Sequence, residues 1–131
     1  MIKIFIVDDN AMIRAQLRAV LEKPGKWAVV GEAENGRRAV EKVRERAPDV
    51  TVMDFLMPEM NGLEAARRIA KDESHAPILM VTSDPSRQLE EEAKKVGIRG
   101  LCSKSDVRCL LKAVETVLLG GTYFQFGVAQ A

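Results

Sequence analysis

Apolar positions along the chain follow two alternating rhythms. Short, nearly unbroken runs at residues 2–7, 27–33, 50–53, 78–81 and 100–103 have the length and composition of strands. Between them, apolar residues recur every three or four positions, as on one face of a helix. The sets are Ile13, Leu17, Val20 and Leu21; Val40, Val43 and Ala47; Leu63, Ala66, Ile69 and Ala70; Leu89, Ala93 and Val96; and, most strongly, Val107, Leu110, Leu111, Val114, Val117 and Leu118. Boundary residues agree with this division. Asn10 stands where it caps the first helix, and Pro24-Gly25 ends it. Asn35-Gly36 resembles a hairpin turn, but the helical spacing beyond it makes Asn35 a cap, with Pro48 closing that helix. The segment from Pro58 to Gly62 reads as a loop, Asp84 as the cap of a fourth helix with Pro85 in its first turn, and Gly120-Gly121 as the stop of the fifth.

Five strand-helix units in strict alternation predict an α/β fold, a three-layer sandwich with a parallel five-stranded sheet and right-handed crossovers. The flavodoxin-like (βα)5 order 2-1-3-4-5 suits five strands, and its topological switch lies between strands one and three. Both of those strands run into acids. Asp8 and Asp9 follow the first and Asp54 the third, while Thr82 follows the fourth and Lys104 the fifth. The fold therefore predicts that all five residues share the crevice beyond the strand ends.

Composition narrows the partners. The chain has 131 residues, enough for one domain with its own core. Its 20 basic and 19 acidic residues leave no net field to recruit nucleic acid or an anionic membrane. No apolar run approaches the roughly 20 residues that cross a bilayer, and the amino terminus has no secretion signal, so a cytoplasmic location is expected. Cys102 and Cys109 lack metal-type spacing and read as free thiols in the core. His75, alone ahead of Pro77, reads as a solvated loop residue.

Three carboxylates in one crevice repel, each close pair by on the order of 4 kcal/mol at the effective dielectric of a protein surface. One lysine does not balance them, whereas a hard divalent cation such as Mg²⁺ favours oxygen ligands and works alongside phosphate oxygens. Lys104 then offers a point charge for an anion, Thr82 a hydroxyl donor, and one carboxylate a nucleophile. These are the parts for phosphoryl transfer to an aspartate.

Asp8-Asp9, Asp54 with the following Met57-Pro58-Glu59-Met60-Asn61-Gly62, Thr82 and Lys104 resemble the receiver domain of two-component response regulators over about residues 2–119. The resemblance implies that Asp54 accepts a phosphoryl group from a histidine kinase or phosphotransfer protein. It implies that Asp9, Asp54 and the backbone carbonyl of Leu56 hold Mg²⁺, that Asp8 assists through water, and that Thr82 and Lys104 contact the phosphoryl group. Such a chain is a signalling domain that assists its own phosphorylation and dephosphorylation, not an enzyme acting on a separate substrate. Its output face is expected along helix four, strand five and helix five, with a homodimer as one form of output.

This sequence departs from the family pattern at three places. Leu101 stands where receivers commonly carry an aromatic three residues before the lysine, which implies a modest rearrangement. Ser105 replaces the proline that often follows the lysine, so a cis bond is unsupported. Leu56 is apolar where it flanks the acceptor; it is expected to hinder an attacking water more than Asp84 helps orient one, so that a phosphorylated state persists. Residues 120–131 resemble the exit of receivers joined to a LuxR-type helix-turn-helix, with Val128-Ala129-Gln130 as the start of a linker helix. No recognition helix or basic patch occurs there, so this chain is not expected to bind DNA itself. Phe124 and Phe126 read equally as packing residues or as a partner patch. A stand-alone receiver acting by protein contact is the alternative output. A nucleotide- or flavin-binding enzyme of flavodoxin-like fold is disfavoured, because Asp8-Asp9 occupies the place of a phosphate loop. A haloacid-dehalogenase-type hydrolase fails on its Asp-x-Asp spacing, and a purely structural receiver on the presence of all five key residues.

Overall fold

A computed structural model describes residues 1–71 and 76–128; His75 lies outside them, as do Ala129 and Gln130 of the expected linker helix. Strands β1 (Ile2–Val7), β2 (Trp27–Ala33), β3 (Val50–Asp54), β4 (Ile78–Thr82) and β5 (Gly100–Ser103) alternate with helices α1 (Ala11–Glu22), α2 (Gly36–Arg46), α3 (Gly62–Ile69), α4 (Arg87–Lys95) and α5 (Val107–Leu118). All strand pairs are parallel and the order is β2-β1-β3-β4-β5. The flavodoxin-like sandwich read from the sequence is the fold observed.

Alternation along the strands divides the core in two. Phe5, Val7, Met53, Met80 and Leu101 point to one face and pack with α2, α3 and α4 residues such as Ala39, Ala66 and Ala93. Ile4, Ile6, Val50, Val52, Leu79, Val81 and Cys102 point to the other and meet Leu17 and Leu21 of α1 and Leu110, Val114 and Val117 of α5. Because β3 and β4 are covered on both sides, every one of their residues is buried, which is why they read as continuous apolar runs.

Two sequence readings are corrected. Helix α4 begins two residues later than the Asp84-Pro85 pattern suggested: Ser86 is the N-cap, its hydroxyl accepting from the Leu89 amide at 3.0 Å. Asp84 instead turns back, its amide 3.4 Å from the Thr82 hydroxyl oxygen. Cys102 and Cys109 are buried as expected but are not free thiols; they form a disulfide. The β5-to-α5 turn brings a strand residue and a first-turn helix residue to a Cα separation of 6.0 Å, inside the range a disulfide spans. None of the described peptide bonds is cis, so Lys104-Ser105 is trans.

Beyond Gly120 the chain folds back on the sheet. The Tyr123 amide donates to the Arg99 carbonyl at 2.9 Å and the Leu101 amide to the Tyr123 carbonyl at 3.1 Å, a parallel bridge on the outer edge of β5. Phe124 is a buried packing residue, with the Lys94 ammonium 4.9 Å from its ring centroid. A helical turn, α6 (Gln125–Val128), begins next to α4, where the Phe126 amide donates to buried Glu90 at 3.1 Å.

Gly62 marks the tightest backbone approach near the crevice. Its amide donates to the Phe55 carbonyl at 2.7 Å, and a Cβ there would collide with the Asp54 carbonyl oxygen. Gly62→Ala is expected to cost about 1–3 kcal/mol, as inserting a methyl into packed structure does, read as a lower urea midpoint; an unchanged midpoint would show that the loop moves aside freely.

Candidate phosphoacceptor site

Strand register sets the site. Val7 lies opposite Met53, and Asp54 opposite Val81, so Asp8 and Asp54 leave neighbouring strands at the same level. Thr82 pairs with Ser103, which places Lys104 one residue beyond the end of β5, with its amide on the Thr82 carbonyl at 2.9 Å. All five residues selected from the sequence line one cleft of about 310 Å³, together with Leu56.

Within it the Lys104 ammonium lies 2.8 Å from Asp8 Oδ2 and 3.1 Å from Asp54 Oδ1. Asp8 is fully buried, Asp54 and Thr82 nearly so, and Asp9 is exposed. Burial, followed by the charge of Asp8, pushes the Asp54 carboxyl up to about 6, against the attraction of Lys104. Burial pulls on Lys104 in the opposite sense, but Asp8 and Asp54 outweigh it and hold the ammonium above its ordinary range.

The cluster has the donor set of a hard cation. Oxygens of Asp8, Asp9 and Asp54 lie within 4.8 Å of one another. Asp8 Oδ1 accepts from the Asn10 amide at 2.9 Å, while buried Oδ2 has the Lys104 ion contact but no well-aligned hydrogen bond. An acceptor left in that state is open to a metal or to metal-bound water.

Several contributors escaped the sequence reading. Arg14 donates from Nη1 to the Asp8 carbonyl at 2.7 Å and from Nε to Glu32 at 2.9 Å, tying the end of β1 to α1 and β2. Arg18 joins the same carboxylate at 2.8 Å, and these hydrogen bonds, with burial opposing, hold Glu32 below the usual carboxylate range. The available signal was helical spacing: Arg14 falls four residues after Asn10. Ser83 also lines the cleft, as does Asn10, read from the sequence only as a cap, while Leu56 stands beside the acceptor as expected and is 69% exposed.

A doubly wound sheet with a metal-competent acid cluster and a lysine at its switch point defines an α/β signalling domain of phosphotransfer type. The chain belongs to the response regulator receiver domain family, whose pattern matches residues 4–115. It is 40% identical to the chemotaxis protein CheY of Thermotoga maritima over 102 residues, 78% of this chain and 84% of that protein. It is 36% identical to the response regulator UvrY of Escherichia coli K12 over 131 residues, covering 99% of this chain but 60% of that one. A two-component response regulator of the LuxR family from Aurantimonas sp. SI85-9A1 superposes with a TM-score of 0.90 at 34% identity, covering 98% of this chain and 92% of that one. The chain thus spans about three fifths of the longer regulators it matches. No helix among the described residues is long and apolar enough to cross a membrane.

The raised Asp54 carboxyl has a stability consequence in metal-free protein. Folding favours its protonated form, so stability falls as pH rises from about 4 to about 6 and the penalty is complete above that. With chelator at pH 7.5, Asp54→Asn is expected to be more stable than the parent by up to about 3 kcal/mol, taking the rise from 3.8 to about 6 at 1.36 kcal/mol per unit. Thermal melts should show the gap closing towards pH 4, and Mg²⁺ narrowing it at pH 7.5 by stabilising the parent. An equal gap at both pH values would refute the assignment.

Proposed function

We propose that Asp54 is the phosphoacceptor of this receiver, taking its phosphoryl group from a histidine kinase or a histidine phosphotransfer protein. The observation that carries this reading is one ammonium, Lys104, lying between two buried acids at the switch point, with Thr82 lining the same cleft. An Asp54 oxygen attacks phosphorus, the phosphorus–nitrogen bond of the donor breaks, and the imidazole leaves with the electron pair and takes a proton. Lys104 then turns from its carboxylate partners to the phosphoryl oxygens, and the Thr82 hydroxyl donates to another. Asp9, Asp54 and the Leu56 carbonyl would hold Mg²⁺, with Asp8 acting through water. When bound, the metal neutralises charge between acceptor and phosphoryl group. Hydrolysis by water later restores Asp54, so the domain assists its own resetting.

Phosphorylation adds up to about two negative charges at neutral pH, a change large enough to bias a two-state element. Thr82 leads directly to the turn before α4, and this side of the domain, with β5 and α5, is the proposed output face. Residues 1–119 form the receiver, and 120–131 lead towards an output domain. Among the longer relatives the transcriptional regulatory protein YdfI of Bacillus subtilis favours transcriptional control, which we assign to a DNA-binding domain outside this sequence, without nucleic-acid contact by the receiver. The similarity to CheY, 84% of whose length is matched, favours a second reading as a stand-alone receiver acting by protein contact, a homodimer included. Either form is placed in the cytoplasm, where a kinase supplies the phosphoryl group.

Incubation with acetyl phosphate and Mg²⁺ is expected to give one phosphoryl adduct by intact mass, lost in Asp54→Asn and with chelator. An adduct that survives in the variant would move the acceptor elsewhere. Leu56, apolar and exposed at the cleft, is expected to slow water attack; pre-phosphorylated Leu56→Asn should lose its adduct faster than the parent, and equal or slower loss would remove Leu56 as the determinant.

A further inference from the structure

The disulfide joins residues that the phosphoacceptor reading leaves unused, and its position relative to the site is specific. Cys102 is in β5, on the sheet face covered by α1 and α5, and Cys109 is in the first turn of α5. The ring they close runs from residue 102 to residue 109 and contains Lys104. Other restraints within that ring are short-range: the Asp106 amide on the Ser103 carbonyl at 3.1 Å, the Asp106 carboxylate capping the Cys109 amide at 3.0 Å, and the Ser103 and Ser105 hydroxyls 3.0 Å apart. Ser105, Asp106 and Val107 are exposed. From outside the ring, the loop backbone is held at the Lys104 amide by the Thr82 carbonyl and at the Asp106 carbonyl by the Leu110 amide, at 3.1 Å. Core packing of Leu110, Val114 and Val117 seats α5 on the sheet, and the covalent link adds the one bonded restraint between the start of α5 and the end of β5, on either side of the Lys104 stem.

We propose that Cys102 and Cys109 form a redox modification site that sets the placement of Lys104, and through it the rate at which Asp54 takes up a phosphoryl group. The second half of this statement rests on the phosphoacceptor reading. In the dithiol form the 102–109 segment keeps its hydrogen bonds but gains freedom at the helix start, so the ammonium spends less time 2.8 Å and 3.1 Å from its two acids. In the disulfide form it is held ready for the incoming charge. Oxidation removes two electrons and two protons from the thiols as the S–S bond forms, and a peroxide is reduced to two waters. The reverse step is exchange with a dithiol through a mixed disulfide, which leaves the donor oxidised.

One argument and one observation separate a switch from a simple staple. In the cytoplasmic location proposed above a disulfide is generally transient and redox-sensing, so the dithiol form is taken as the resting one and the link as the record of an oxidant. Access is also conditional. Both sulfurs are buried, and the Gln125 amide nitrogen lies 3.8 Å from Cys109 Sγ, so the returning tail forms part of the cover.

The test uses the whole chain, oxidised with hydrogen peroxide or reduced with dithiothreitol. Iodoacetamide labelling in denaturant, read by intact mass, is expected to add two labels to the reduced form and none to the oxidised form. Without any phosphoryl donor, the Lys104 and Ser105 amide resonances should differ between the two forms, and should not respond to redox state in a Cys102→Ala/Cys109→Ala control. With acetyl phosphate and Mg²⁺, the oxidised form should gain its adduct at least about threefold faster, a small part of the ~100-fold that a 1 Å misplacement can cost. Two labels on the peroxide-treated protein, unmoved Lys104 and Ser105 resonances, or equal adduct rates would each overturn the proposal. Absence of adduct in both forms would instead overturn the phosphoacceptor reading, while the labelling and the resonances still decide the redox site. A staple without a signalling role would raise the melting temperature and leave the adduct rates equal.

Discussion

The carboxyl edge of the sheet depends on one ammonium held between two carboxylates in a place with little water. Lys104 reaches both Asp8 and Asp54 from the end of a different strand, and without it two buried like charges would face each other. The pairing relieves the repulsion only partly, since burial and Asp8 still push Asp54 upward. That unrelieved charge is what a divalent cation would offset, and the lysine is what a negatively charged ligand would meet. Stability is given up at the same atoms that would do the binding.

The rest of the fold holds this arrangement in register. Parallel pairing brings the ends of β1, β3, β4 and β5 to one level, and the two-faced core prevents any strand from slipping, because a shift of one residue would turn Phe5, Met53 or Val81 to the wrong side. Gly62 lets the loop after β3 lie directly on the Asp54 backbone, and Arg14 fixes the carbonyl of Asp8. The site is thus supported by backbone contacts on the acid side and by a single short loop on the lysine side.

Much of this was legible in the sequence. Strand and helix periods gave the order of elements, and Asp8, Asp9, Asp54, Thr82 and Lys104 stood out because each interrupts an apolar run at its end. What was not legible depended on where two local elements turn towards each other. The Cys102–Cys109 link requires the angle between β5 and α5, which no spacing rule contains, and neither cysteine has the company that marks a metal site. The cap of α4 went to Ser86 because the chain bends at Ser83 and Asp84 before turning helical, and both Asp84 and Ser86 are good caps on composition alone. Phe124 and Phe126 were ambiguous for a related reason: only the return of the chain over β5 decides which aromatic is covered.

That return also changes the mechanics of the domain. A chain leaving directly from α5 would carry its next segment on a helix anchored to the far face of the sheet. Here it crosses the β5 edge first and reaches α4, held by the Tyr123 bridge, the Phe124 ring and the Glu90 carboxylate. The segment from Tyr123 to Phe126 therefore rests on the helix that follows Thr82. A small rotation of α4 would carry the Phe124 ring and the Phe126 backbone with it, so movement begun at the cleft would be felt across the outer edge of β5.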